Sequence, residues 1–178
     1  PASVRANILR GHIARDNGDC KKSIHYWKKI ETQDRRYLPE VLDQLSECFK
    51  ETGNQDGWLD FLNSALKKER AIPIMLKFVD EIESQQGIQA ARQFIIQELR
   101  QKPSLHGLSR LIHLSAMQES GQSRSDLETL QAMIERVLKS RKTYLCEHCG
   151  FRGTAMHWQC PGCKRWNTVK PVWDEIDE

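Results

Sequence analysis

Through the first 140 residues, apolar side chains recur three and four positions apart, the spacing of amphipathic helices packed on one face. Short polar breaks interrupt the pattern, and each break holds a glycine. Gly18, Gly53, Gly87 and Gly121 stand 35, 34 and 34 residues apart. Each follows one helical stretch and opens another, over residues 18–31, 53–69, 87–103 and 121–139. A glycine between two helices supplies the positive φ that ends the first at little steric cost. The pattern predicts four helix–turn–helix units in residues 1–140.

A period near 34 built from such units is the mark of a tetratricopeptide-like solenoid. In the first unit Gly11, Gly18, Asp19, Ile24, Trp27 and Asp34 fill small, turn, packing and end positions. In the second, Leu42, Leu45, Phe49, Leu62 and Ala65 take the packing slots. The third supplies Ala91 and Ile95, with Pro103 where the second helix should stop. The fourth keeps Gly121 but not the small residues. The alternative is an irregular helical bundle. Trp27 and Trp58 read as core, and Cys20 and Cys48 as small buried groups. His12, His25, His106 and His113 stand in no paired-carboxylate or serine arrangement, and no phosphate loop, HExxH or GxSxG occurs. The repeats carry no signal for catalysis.

A solenoid offers surface instead. With the first helix of each unit lining the concave face, Arg5, Ile8, His12 and Arg15 are expected there from unit one. Unit two contributes Glu40, Asp43, Glu47, Lys50 and Glu51, and unit three Ile74, Lys77, Glu81 and Gln85. The groove then runs from basic to acidic, a way to orient a partner protein segment. The competing reading is that these are solvated faces.

After Leu138 the helical period ends. A basic stretch follows (Lys139, Arg141, Lys142), and then short β-prone runs at 143–146, 153–160 and 166–173. Within them stand Cys146, Cys149, Cys160 and Cys163, two CxxC pairs separated by ten residues. Two residues between cysteines let both sulfurs of a tight turn face one ion, and a second such turn completes a tetrahedral thiolate shell suited to zinc or a single iron. His148 and His157 lie near, but four thiolates already fill the shell. Residues 141–178 are thus expected to be a rubredoxin-like or zinc-ribbon β module holding one ion. So small a module buries little core, so the ion supplies much of its stability. Phe151, Trp158, Trp166 and Trp173 exceed what it can hide, and Phe151, Trp158 and Trp166 are expected to dock it onto the helix carrying Leu127, Leu130, Ile134 and Leu138.

Composition narrows the classes further. Charged residues make up 29% and hydrophobic ones 39%, with a net charge of +3, too mild to require nucleic acid or an anionic membrane. No apolar run reaches the roughly 20 residues that span a bilayer. Thiolate ligands point to a reducing compartment. The sequence opens at Pro1 without Met, and a preceding segment is expected.

Helical repeats followed by CxxCGF, then W-x-CPxC-x-x-W-x-T-x-KP, resemble the family of the lipopolysaccharide assembly protein LapB (YciM). The residues that carry the likeness are Cys146–Phe151, Trp158–Cys163, Trp166, Thr168 and Lys170-Pro171, with upstream stretches 11–24 and 37–42. The resemblance covers the whole chain. It implies an N-terminal membrane helix outside this sequence, with repeats and metal module on the cytoplasmic face of the bacterial inner membrane. It also implies a non-catalytic adaptor that promotes degradation of the deacetylase LpxC by the protease FtsH and gathers assembly factors. Two other classes stand beside it: an iron-bearing electron carrier, and a nucleic-acid-binding ribbon using Lys139, Arg141, Lys142, Lys164, Arg165 and Lys170. Lys164, where rubredoxin has glycine, and the short link between pairs count against the first. The acidic tail Asp174, Glu175, Asp177 and Glu178 counts against the second, and no nucleic acid is expected.

Overall fold

A computed structural model describes residues 3–68, 71–141 and 143–172. The expectations placed on Lys142, Trp173 and the acidic residues 174–178 lie outside the described residues. The chain divides into two compact units, Pro1–Arg70 and Ala71–Glu178. It is mainly helical, with a small antiparallel sheet near its end, the fold class expected from the pattern.

The first unit contains α1 (Val4–Asp16), α2 (Cys20–Lys28), the single turn α3 (Ile30–Gln33), a 3-10 segment (Arg35–Val41), α4 (Leu42–Glu51) and α5 (Gln55–Lys68). The turn between α1 and α2 is built by Gly18 at φ 74 and by Asp19, whose side chain accepts from the Lys22 amide and caps α2. Ser23 donates its hydroxyl to the Gly11 carbonyl, pinning the pair at their closest approach. There Trp27 packs against Gly11 of α1 and donates its indole N–H to the Ile8 carbonyl. A Cβ on Gly11 would sit 2.0 Å from Trp27 Nε1, so only glycine admits the ring. Ile30, Leu38, Leu42, Leu45, Phe49, Trp58, Leu62 and Ala65 complete this core. The packing positions read from the sequence are therefore buried, except Ile24, which is partly exposed.

The 3-10 segment departs from the expected simple helix. Pro39 lacks an amide donor and restrains the residue before it, so the chain tightens here and α4 starts only at Leu42. Asp34 caps the segment by accepting from the Arg36 amide. Tyr37, Leu38 and Val41 are buried along it, and Glu40 sits on it rather than on a repeat helix.

The second unit holds α6 (Ile72–Gln86), α7 (Ile88–Gln101), α8 (Leu105–Ala116) and α9 (Gly121–Lys139). α6 packs on α7, and α8 on both α7 and α9. The turn glycines Gly53, Gly87 and Gly121 all have positive φ, as Gly18 does; Gly53 and Gly87 stand between successive helices, and Gly121 is the first residue of α9. Pro103 follows the end of α7, and Ser104 caps α8 by accepting from the Gly107 amide. Ile74, Val79, Ala91, Ile95 and Leu114 form the core. α9 buries no residue fully, the physical counterpart of its degenerate sequence.

Past α9 the chain forms β1 (Tyr144–Cys146), β2 (Arg152–Gly153) and β3 (Val169–Pro171), in the order β2-β1-β3 with both pairings antiparallel. Tyr144 opposes Gly153 and Pro171, and Cys146 opposes Val169. Of the run 153–160, expected to be β-structured, Gly153 lies in β2, while 154–160 form a loop with an isolated bridge from Gln159 to Trp166. A two-residue strand suffices because metal turns, not a long ladder, close this module.

Candidate metal centre

The two CxxC segments adopt the same local structure. The Cys146 amide donates to the Phe151 carbonyl at 2.8 Å, and the Gly150 amide returns to the Cys146 carbonyl at 2.9 Å. Fourteen positions on, the Cys160 amide donates to Arg165 at 2.9 Å and the Lys164 amide to Cys160 at 2.9 Å. This pattern requires a left-handed residue four places after the first cysteine. Gly150 supplies it at φ 74 and Lys164 at φ 61. The departure noted in the sequence at Lys164 is thus met by holding a lysine in a glycine conformation, which costs on the order of 1–2 kcal/mol. A third tie fixes the first knuckle to β3: the Glu147 amide donates to Thr168 at 2.8 Å.

These turns bring the four Sγ atoms within 4.8 Å of one another. Cys146 and Cys163 sulfurs are 3.8 Å apart, and those of Cys149 and Cys160 3.6 Å. A tetrahedral ion with bonds near 2.3 Å sets its ligand sulfurs about 3.8 Å apart, whereas a disulfide would need about 2.05 Å. All four are free thiols, so the donor set fits one ion and does not form disulfides. The residues form a four-cysteine metal site of tetrahedral type.

The electrostatics are those of a site prepared for a cation. The Thr168 hydroxyl, 3.3 Å from Cys146 Sγ, together with the amides of Cys149 and His148, brings that thiol down to about 6 against the cost of burial. The Phe151 amide lowers Cys149, but burial and the sulfurs of Cys146, Cys160 and Cys163 outweigh it and push Cys149 up to about 11. The four sulfurs cannot all ionise beside one another, so a bound ion displaces the remaining protons. Cys146 and Cys160 are buried, while Cys149 is exposed at the edge of its knuckle. Tyr144 and Val169 close the inner side, with Phe151, Met156 and Cys163 packed against them. Gly162 leaves space there: a Cβ would fall 3.4 Å from Cys149 Sγ.

The expected docking aromatics lie in different surroundings. Phe151 packs into the module's own core and edges onto His157 at 6.0 Å. Trp166 is 55% exposed, and Trp158 is half-buried. On α9, Leu130, Met133 and Val137 remain about half exposed. Of the three aromatics expected to dock the module onto α9, Phe151 thus packs in the module's own cluster, Trp158 is half-buried and Trp166 is about half exposed.

The expected concave-face residues also separate. Ile8 and Ile74 are buried, and Glu81 is only 5% exposed, so these three offer no surface; their positions on α1 and α6 turn inward to the packed neighbours. His12 packs edge-on against Trp27 at 5.4 Å. Arg5, Glu40 and Lys77 are half-buried, and Asp43, Lys50 and Gln85 are exposed. Arg15, Glu47 and Glu51 come together. The Arg15 guanidinium donates to Glu47 at 2.6 Å, to Glu51 at 3.5 Å and to Cys48 Sγ at 3.2 Å. Cys20 completes the cluster by donating to Glu51 at 3.0 Å. Cys20 and Cys48, read only as small buried groups, are partners in a polar cluster, a fact that single-residue hydrophobicity could not reveal.

Comparison with known proteins agrees with this geometry. Residues 144–171, from the first residue of β1 to the last of β3, match the family model described as a rubredoxin metal binding domain. Over 172 residues, 96% of the chain, it is 29% identical to lipopolysaccharide assembly protein B of Escherichia coli strain K12, covering 44% of that protein. It is 28% identical over 173 residues to the protein of the same name from Haemophilus influenzae, covering 97% of the chain and 44% of the relative. The chain thus spans less than half the length of the curated relatives it matches. The resemblance read from the motifs extends through the helices as well as the module: the chain is similar, along nearly its whole length, to lipopolysaccharide assembly protein B.

Proposed function

We propose that the chain is the repeat-and-metal part of a non-catalytic adaptor that regulates lipopolysaccharide biosynthesis. In this reading, residues 1–140 form tetratricopeptide-like repeats and residues 141–178 a rubredoxin-like module that holds zinc or iron. The adaptor works at the cytoplasmic face of the inner membrane, anchored by a segment outside this sequence, and promotes degradation of LpxC by FtsH through protein contacts. The observation that carries the reading is the likeness over 96% of the chain to relatives named for lipopolysaccharide assembly. Among the described residues no helix is long and apolar enough to cross a membrane.

The exposed part of the corrected surface, Asp43, Lys50 and Gln85, is the first place to test for partner contact. Charge reversal at Asp43 and Lys50, introduced into a full-length protein carrying this chain, should raise LpxC in cells while leaving the melting curve of the purified protein unchanged. Normal LpxC turnover with the module intact removes those residues from the partner surface; normal turnover in cells lacking the protein altogether removes the function. Elemental analysis and the absorption spectrum of purified protein decide between zinc and iron, since only a ferric thiolate site absorbs strongly in the visible.

A further inference from the structure

Away from the metal centre, α2 and α4 bring two buried cysteines into one cluster with a cation and a carboxylate. The Cys20 thiol donates to Glu51 Oε2 at 3.0 Å, and Glu51 also accepts from Arg15, which reaches the Cys48 sulfur. Arg15 Nη1 donates to Cys48 Sγ at 3.2 Å, and Arg15 is itself held by Glu47 at 2.6 Å. The thiols are buried, yet Glu47 and Glu51 are more than half exposed, so the cluster lies just beneath the surface. A structural role would need neither the guanidinium aimed at one sulfur nor the carboxylate on the other. That asymmetry is the arrangement of an attacking thiolate beside a resolving thiol.

We propose that Cys20 and Cys48 are a peroxide-sensitive modification site that closes into a disulfide between α2 and α4. The Cys48 thiol gives up its proton, and its sulfur, held by Arg15, attacks one oxygen of hydrogen peroxide. The S–O bond forms, the O–O bond breaks, and the departing hydroxide takes up a proton to leave as water. Cys20 then passes its proton to Glu51 and attacks the Cys48 sulfenic sulfur. The S–S bond forms, the S–O bond breaks, and the second hydroxide leaves as water with that proton. Two thiols and one peroxide thus yield one disulfide and two waters. Burial and the contacts with Cys48 and Glu51 push the Cys20 thiol up to about 12, which keeps it protonated until the sulfenic acid appears. Closure removes the thiol donor from Glu51 and the sulfur acceptor from Arg15, so it rearranges the charged face that these residues share with Glu47. A thiol reductant restores the original state.

The test is a non-reducing peptide map of the metal-loaded, reduced chain after a few equivalents of hydrogen peroxide and alkylation. The expected product joins the tryptic peptide carrying Cys20 to that carrying Cys48, two hydrogens lighter than their sum. In Cys20→Ser, Cys48 should be trapped as a sulfenic acid by a dimedone reagent. Arg15→Gln should slow linkage on the order of tenfold, and Arg15→Lys should recover much of the rate because the charge is kept. The wild-type map stands even where a variant fails to fold. Cys20 and Cys48 both alkylated in folded wild-type protein after the metal cysteines have oxidised would overturn the proposal. So would linkage as fast in folded Arg15→Gln as in wild type.

Discussion

Removing the ion tests the central claim about the module. Among the described residues of the module, the buried apolar side chains apart from ligands and Pro171 are Tyr144 and Val169, each worth about 2–3 kcal/mol on burial. A structural zinc in so small a module contributes about 10–16 kcal/mol of apparent binding energy near neutral pH. The ion therefore outweighs the apolar core several-fold, and no arrangement of the remaining side chains replaces it. Stripping the metal with a strong chelator, or substituting Cys160→Ser, should unfold residues 144–171. The first unit, Pro1–Arg70, has a core anchored by Trp27, Trp58, Leu38 and Phe49, and should keep its helices. Amide NMR spectra separate the two: signals from Tyr144, Cys160 and Val169 should collapse to random-coil positions while those of Leu45 and Leu62 stay dispersed. Dispersed module signals in protein shown metal-free by elemental analysis would refute the reasoning.

Three smaller perturbations check other steps. Gly11→Ala drives a methyl into the fully buried Trp27 ring, with contacts of 2.0 to 2.4 Å, and should cost about 3 kcal/mol or more, read as a melting point roughly 6–12 °C lower. Lys164→Gly relieves the left-handed strain at φ 61, offset by greater freedom of the unfolded chain, and should leave the module unchanged or more stable by up to about 1 kcal/mol in chelator-resistance assays. Burial, reinforced by the charge of Arg141, holds His106 below its ordinary value of 6.5. The unfolded chain therefore takes up this proton first as pH falls. The stability His106 contributes is complete above pH 6.5, declines as pH drops below it, and levels off once the folded state also protonates. His106→Gln should be less acid-sensitive than wild type across that window in urea titrations.

The helices and the metal centre were legible for the same reason: both are written in local spacing. A glycine every 34 or 35 residues fixes where φ must turn positive, and all four do so. Two CxxC pairs define two knuckles, and their identical hydrogen bonds follow from identical spacing. What the sequence hid depends on neighbours distant along the chain. Pro39 and the buried Tyr37 turn the expected start of a repeat helix into a 3-10 segment. Ile8, Ile74 and Glu81 sit at the correct helical positions for a surface, yet the packing of adjacent helices covers them. Phe151 looked like excess aromatic area until the fold around four sulfurs gave it an internal place.

The same long-range contacts alter the charge of the expected groove. Counted along the sequence, α4 reads as acidic through Asp43, Glu47 and Glu51, with Lys50 alone opposing them. In the folded first unit Arg15 reaches across from α1 and sits on both glutamates. These pairs are largely exposed, and such pairs contribute about 0–1 kcal/mol to stability. Their effect on recognition is larger than their effect on folding. A basic partner segment approaching Glu47 and Glu51 meets carboxylates already engaged by a guanidinium, and it must displace Arg15 or bind elsewhere. Asp43 and Lys50, on the same helix, are exposed. On the proposed adaptor reading, selectivity on this face would depend on where Arg15 points, and Arg15 points where Cys48 and the two glutamates hold it. A change at the sulfurs beneath the surface thus reaches the charges above it through one side chain.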